Sequence, residues 1–154
     1  MQQSIDFLKV CEVTLSYSHK VPAKDRPKIS DSKSAYNVLI QLYPPEQIEL
    51  KEFFYVIFLN KANQVTGYHK LSEGGIASTV VDMRLLFSAA LKQLACAMIL
   101  SHNHPSGNLQ PSAADKELTD RAKQCGNILD IAVLDHIIIT SDNGYYSFAD
   151  EGRM

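Results

Sequence analysis

The chain has 154 residues, 45% of them hydrophobic and 21% charged, and a formal net charge of −2 at pH 7. That balance suits one compact soluble domain with a core of its own, and it excludes a disordered chain, a collagen-like repeat and a disulfide-stapled miniprotein. The longest apolar runs, residues 53–59 and 94–100, are seven residues each, against the roughly 20 needed to span a bilayer, so no membrane partner is expected.

In chain order, residues 1–18 lack the basic and apolar regions of a secretory leader and alternate loosely, with Cys11, Val13 and Leu15 on one side, as an edge strand would. The three cysteines (Cys11, Cys96, Cys125) form no CxxC pair and sit among apolar residues. They read as reduced core thiols of a cytoplasmic protein. Residues 19–33 carry Lys20, Lys24, Arg26, Lys28 and Lys33 against Asp25 and Asp31, a local +3. Lys-rich loops need no partner, but such a connector is also the one place where nucleic acid could be met. Residues 1–30 are therefore taken as a strand and basic connector, and residues 31–154 as a single domain.

Asp31 or Ser32 caps a predicted helix with Ala35, Tyr36, Leu39, Ile40 and Tyr43 on its apolar face, and Pro44-Pro45 stops it. Residues 51–59 (KEFFYVIFL) have the β-branched and aromatic content of a strand covered on both faces. Residues 60–64 turn the chain into a hairpin partner over 65–71. Residues 72–75 (SEGG) break the pattern, and a short strand over 76–81 closes the meander. Asp82 then caps a helix with the stripe Met83, Leu86, Phe87, Ala90, Leu91 and Leu94. The next strand, CAMIL, places Cys96 toward the core and runs into Ser101-His102-Asn103-His104-Pro105. A further helix begins at Ser112 with Ala114, Leu118, Ala122 and Cys125 buried, and Gly126 is placed to close it in the left-handed conformation. A long strand (DIAVLDHIIIT), an Asp142-Asn143-Gly144 turn and a return over 145–148 complete a mixed sheet packed against helices, an α/β (α+β) domain.

One constellation carries chemistry: His102-x-His104-Pro105, six residues, Ser112, two residues, Asp115. Side chains at i and i+2 of an extended chain share a face, with Cα atoms roughly 6.5–7 Å apart, so two imidazoles can converge on one ion. Pro105 ends the strand, and a short turn-rich loop can return Asp115 to it in the first turn of a helix. Two histidines and an aspartate form a three-ligand set for Zn²⁺ that keeps a fourth position for water. Ser112-x-x-Asp115 equally fits a helix N-cap with an acidic residue at N3, and the two roles can coexist. Asn103 points to the opposite strand face, where it satisfies backbone groups. His136 and Asp135 are expected as hydrogen-bonded core residues, and His19 and His69 have no assigned role.

These residues resemble the JAMM motif of MPN/JAB-domain metalloproteases. SHNHPSGNLQPSAAD, VLDHIIIT and YSFADEG are similar to the RadC-type branch of that superfamily, over roughly residues 30–152. The resemblance implies a JAB/MPN, cytidine-deaminase-like three-layer fold, with zinc held by His102, His104 and Asp115. It implies that Ser112 assists by donating to the water or developing oxyanion, and that a glutamate before an upstream strand is the general acid/base. By position that residue is Glu52, with Glu46 and Glu49 close by. Family members with an N-terminal helix-hairpin-helix region are longer, so the chain reads as a short form and DNA contact through that region does not transfer. Where the family shows His-Pro-Arg-Glu at a helix start, this chain has Asp82-Met83-Arg84-Leu85.

Three functions follow. The first is a zinc metallohydrolase cleaving a peptide or isopeptide amide. The second is a metal-dependent DNA-processing or DNA-binding repair protein, suggested by the RadC resemblance and the basic connector and opposed by the net charge of −2. The third is a non-catalytic MPN scaffold, opposed by the retention of all three ligands.

Overall fold

The computed structural model describes residues 15, 16, 18–74, 80–142 and 144–154. The expected first strand, Cys11 and most of the strand expected over 76–81 lie outside the described residues. Among those described, the elements are α1 (Ser32–Leu39), β1 (Phe53–Leu59), β2 (Val65–Glu73), α2 (Met83–Lys92), β3 (Ala97–Asn103), α3 (Ala113–Leu129), β4 (Ala132–Ile139) and β5 (Tyr145–Ser147). The strands form a mixed five-stranded sheet in the order β2-β1-β3-β4-β5. β3 and β4 run parallel, and β1 is antiparallel to both β2 and β3, as β5 is to β4.

Strand parity sorts the core into two layers. Phe53, Tyr55, Ile57 and Leu59 of β1 face α1, where they meet Tyr36, Leu39 and Tyr43. Phe54, Val56 and Phe58 face the other way, onto Leu86, Phe87 and Ala90 of α2 and Ala122 of α3. With helices on both faces, all seven residues of β1 are buried, which is why the run is apolar without alternation. The expected three-layer α/β architecture is the one observed.

Local signals act much as the sequence implies. Asp31 Oδ1 accepts from Ser34 N at 2.7 Å, and Ser34 Oγ accepts from Asp31 N at 3.1 Å, a reciprocal cap that starts α1. Asp82 caps α2 by accepting from Arg84 N. The basic connector ends against the sheet: Ile29 is buried, and its N–H donates to Asn63 O.

Several expectations are corrected. Ser72 and Glu73 do not break β2; they pair with Phe54 and Phe53. Leu91 and Leu94 are 52% and 54% exposed: α2 stops at Lys92, and Leu94 takes a positive φ of 51°, off the helical face. Cys96 is exposed and Cys125 half-buried, so neither is a fully buried thiol. Ala114 is exposed on α3, whose buried residues are Thr119, Ala122 and Gly126. Gly126 does not end that helix. Asp130 does so, with φ 55°. At Gly126 a Cβ would lie 2.3 Å from Ile131 O, so glycine is needed where the chain folds back over its own helix.

Candidate metal centre

β3, α3 and β4 form a strand–helix–parallel strand unit, and the loop after β3 with the start of α3 lies at the carboxyl end of that strand. This is where ligands gather in open α/β sheets. On β3, Met98, Leu100 and His102 share the parity that faces α2 and α3, while Ser101 and Asn103 face α1. Ser101 Oγ lies 2.8 Å from Tyr43 Oη on the α1 side. Asn103 Oδ1 accepts from Phe53 N at 2.7 Å, and its amide donates to Ile48 O and Lys51 O. Asn103 thus fastens the chain before β1 to the end of β3, as its position between the two histidines suggested.

His102, His104 and Asp115 come together with ligand atoms all within 4.8 Å of one another. His102 Nε2 is 3.2 Å from Asp115 Oδ1, and His104 Nε2 is 3.5 Å from Asp115 Oδ2. The two Nε2 atoms are 2.9 Å apart. Zinc with bonds of about 2.1 Å at tetrahedral angles keeps its ligand atoms about 3.4 Å apart, so the 3.5 Å spacing already suits it and the 3.2 and 2.9 Å spacings need to open by only a few tenths of an ångström. His104 Nδ1 lies 2.5 Å from Asn108 O. A carbonyl only accepts, so this nitrogen carries the ring hydrogen and Nε2 presents a lone pair to the centre. Lone pairs converging in this way call for a positive centre among them, and the donor set fits a divalent metal.

Behind the ligands the site is closed. His102 is 1% exposed, and its ring lies parallel to Phe54, its cross-strand partner, with centroids 5.8 Å apart. His102 Nδ1 is 2.8 Å from Nε2 of the fully buried His136, whose Nδ1 is 2.6 Å from Thr119 Oγ1. His136 is therefore the hydrogen-bonded core histidine expected from its apolar strand, and it also touches a candidate ligand. Thr119 is a residue the motif did not flag. Its only sequence signal is its place four residues after Asp115, on the same helix face. Asp135 accepts from Ser147 Oγ, Ala149 N and His136 N, a structural acceptor as expected.

Ser112 is the N-cap of α3. Its Oγ accepts from Asp115 N at 3.1 Å and donates to Asp115 Oδ2 at 2.8 Å, while Ser112 N donates to the same Oδ2 at 2.7 Å. The capping pair and the candidate ligand are thus one structure. Burial works to raise the Asp115 pKa, but its neighbours His102, His104 and Ser112 outweigh it and hold the carboxyl well below the usual range. It is a carboxylate at any physiological pH.

Glu52 immediately precedes β1 on the parity of Phe54, the face toward His102. It is half-buried, whereas Glu46 and Glu49 are exposed. Burial raises its pKa above the ordinary value, the neighbouring His102 and His104 oppose that rise, and the charge of Asp115 adds to it. The sequence-predicted base thus lies within the electrostatic reach of the cluster. Among the described residues, no helix is long and apolar enough to cross a membrane.

Comparison with known proteins shows which family of domains this fold resembles. A family described as "RadC-like JAB domain" matches residues 29–153. A UPF0758 protein of Flavobacterium johnsoniae is 48% identical over 128 residues, which cover 81% of this chain and 53% of the relative. A UPF0758 protein of Porphyromonas gingivalis is 37% identical over 144 residues, covering 91% of this chain and 62% of the relative. The chain thus spans about half to three-fifths of the length of these curated relatives.

Proposed function

The chain belongs to the RadC-like JAB domain family, and from that premise we propose that it is a zinc-dependent hydrolase of the JAMM type that cleaves a peptide or isopeptide amide. The observation that carries the reading is the meeting of His102, His104 and Asp115 on the face where Glu52 stands. His102 and His104 would hold the ion through Nε2, and Asp115 through a carboxylate oxygen. Zinc bound there supplies Lewis acidity, which lowers the pKa of a water from 15.7 to about 7 and polarises a carbonyl.

The chain's own residues do the rest. Glu52 takes the proton of the attacking water and returns it to the leaving amine; its raised pKa brings it nearer to neutrality and suits it to both halves of that task. Ser112 stands at the start of α3, where the helix dipole favours negative charge, and its hydroxyl can turn from Asp115 Oδ2 to the developing oxyanion. Phe54 walls His102 from water on one side.

The test is zinc content per chain together with hydrolysis of a panel of peptide and isopeptide substrates, for wild type and Glu52→Gln. One zinc per chain in both proteins is expected, with turnover falling by about 10²–10⁴-fold in the variant. A variant with undiminished turnover would remove Glu52 from the role. A second reading, DNA processing at the same centre, draws on the exposed basic residues Lys20, Lys24 and Lys28. Affinity for duplex DNA that stays absent at low ionic strength would dispose of it.

A further inference from the structure

Thr119 and His136 lie behind His102, outside the set that would hold a metal. Thr119 Oγ1 donates to the Asp115 carbonyl at 2.7 Å, one helical turn back, and the same oxygen lies 2.6 Å from His136 Nδ1. His136 Nε2 lies 2.8 Å from His102 Nδ1. Thr119, His136 and His102 are each exposed by 1% or less, so water is kept from all three.

A hydroxyl has one hydrogen. With that hydrogen on the Asp115 carbonyl, Thr119 Oγ1 meets His136 Nδ1 as an acceptor, and Nδ1 must carry the ring hydrogen. As a neutral imidazole His136 has a single N–H, and Nδ1 carries it toward Thr119 Oγ1. Its Nε2 is then an acceptor, His102 Nδ1 is the donor, and His102 Nε2 is left bare toward His104 and Asp115. The opposite register is also conceivable in principle. If the hydroxyl donated to His136 Nδ1, every hydrogen would move one place toward the site, and His102 Nε2 would become an N–H that cannot ligate. Only one of the two registers is compatible with a metal ion.

We propose that Thr119 and His136 are positioning residues that keep the hydrogen of His102 on Nδ1 and so leave its Nε2 free to bind the metal. The assignment rests on the metal-centre reading above. It extends that reading from the motif to two residues outside it, one on α3 and one on β4.

The experiment measures zinc affinity by competition with a chromogenic chelator for wild type, Thr119→Val and Thr119→Ser. It adds ¹⁵N-histidine spectra of the zinc-loaded wild type to locate the ring hydrogens. Valine keeps the shape of threonine and removes the hydroxyl; serine keeps the hydroxyl. The expected result is zinc binding weakened roughly 10–100-fold in Thr119→Val, near-wild-type binding in Thr119→Ser, and hydrogens on Nδ1 of both His102 and His136. Equal affinity in wild type and Thr119→Val would overturn the assignment, as would a hydrogen on Nε2 of His136 in the loaded protein. If circular dichroism finds Thr119→Val unfolded, the wild-type spectra decide alone. A wild type that takes up no zinc would overturn the metal reading and this assignment together; a wild type that binds zinc no better than Thr119→Val overturns this assignment only.

Discussion

Asn103 shows how a residue between two candidate ligands can matter without touching a metal. Its side chain accepts from one backbone N–H and donates to two backbone carbonyls across residues 48–53, the stretch that carries Glu52. Asn103→Ala would leave those backbone groups without partners, at about 1–3 kcal/mol for each that stays buried. The expected outcome is a domain destabilised by about 3 kcal/mol that still binds zinc but hydrolyses poorly, because Glu52 is no longer held. Denaturant unfolding with a zinc titration checks it, and unchanged stability would show that the segment is fastened elsewhere. The ligands themselves were legible because all three lie within 14 residues and their spacing suffices to bring them together. Asn103 was legible from strand parity alone. Thr119 and the link from His136 to His102 were not, since they depend on β4 lying parallel beside β3, and no local pattern announces which strands become neighbours.

Elements were legible where the signal was local and misread where a distant segment overrode it. The buried run of β1 and the caps Asp31 and Asp82 needed only their own neighbourhoods. Gly126 looked like a helix end because glycine usually is one there, but its absent Cβ makes room for Ile131 O as the chain returns to the sheet. Gly126→Ala should therefore destabilise by about 1–3 kcal/mol, the usual range for overpacking, although alanine is the better helix former. A thermal melt of the variant at or above wild type would contradict the close approach. At the other edge, Glu73 of β2 is hydrogen-bonded by Lys51 and Lys70, and these partners bring its pKa from the ordinary 4.5 to about 2. A lowered folded-state pKa means that the stabilisation is present above pH 4.5 and is lost as pH falls toward about 2. Melting temperature against pH at low salt should fall less steeply in that window for Glu73→Gln than for wild type. Equal slopes would mean that solvent screens this exposed cluster completely.

Across the whole molecule, the three candidate ligands tie together two elements that the sheet alone does not join. His102 is the penultimate residue of the central strand β3, His104 lies just beyond it, and Asp115 stands in the first turn of α3, the helix that packs over β4 before the chain re-enters the sheet. An ion bound by all three would favour only the folded arrangement, because an unfolded chain has no reason to hold residues 102, 104 and 115 within a few ångströms of one another. Stability should then rise with free zinc as RT ln(1 + [Zn]/Kd), about 2.7 kcal/mol at a hundredfold excess over Kd. For a domain of this size that is a rise of roughly 5–10 °C in Tm. Chelation should remove the increment, and His104→Ala, at the more exposed of the two histidines, should abolish it with little change in the metal-free Tm. The measurement is differential scanning calorimetry with zinc buffered over several decades. A Tm indifferent to zinc in wild type would mean that the cluster is held together by the helix cap and its hydrogen bonds alone, and that the retained motif does not bind the ion its spacing fits.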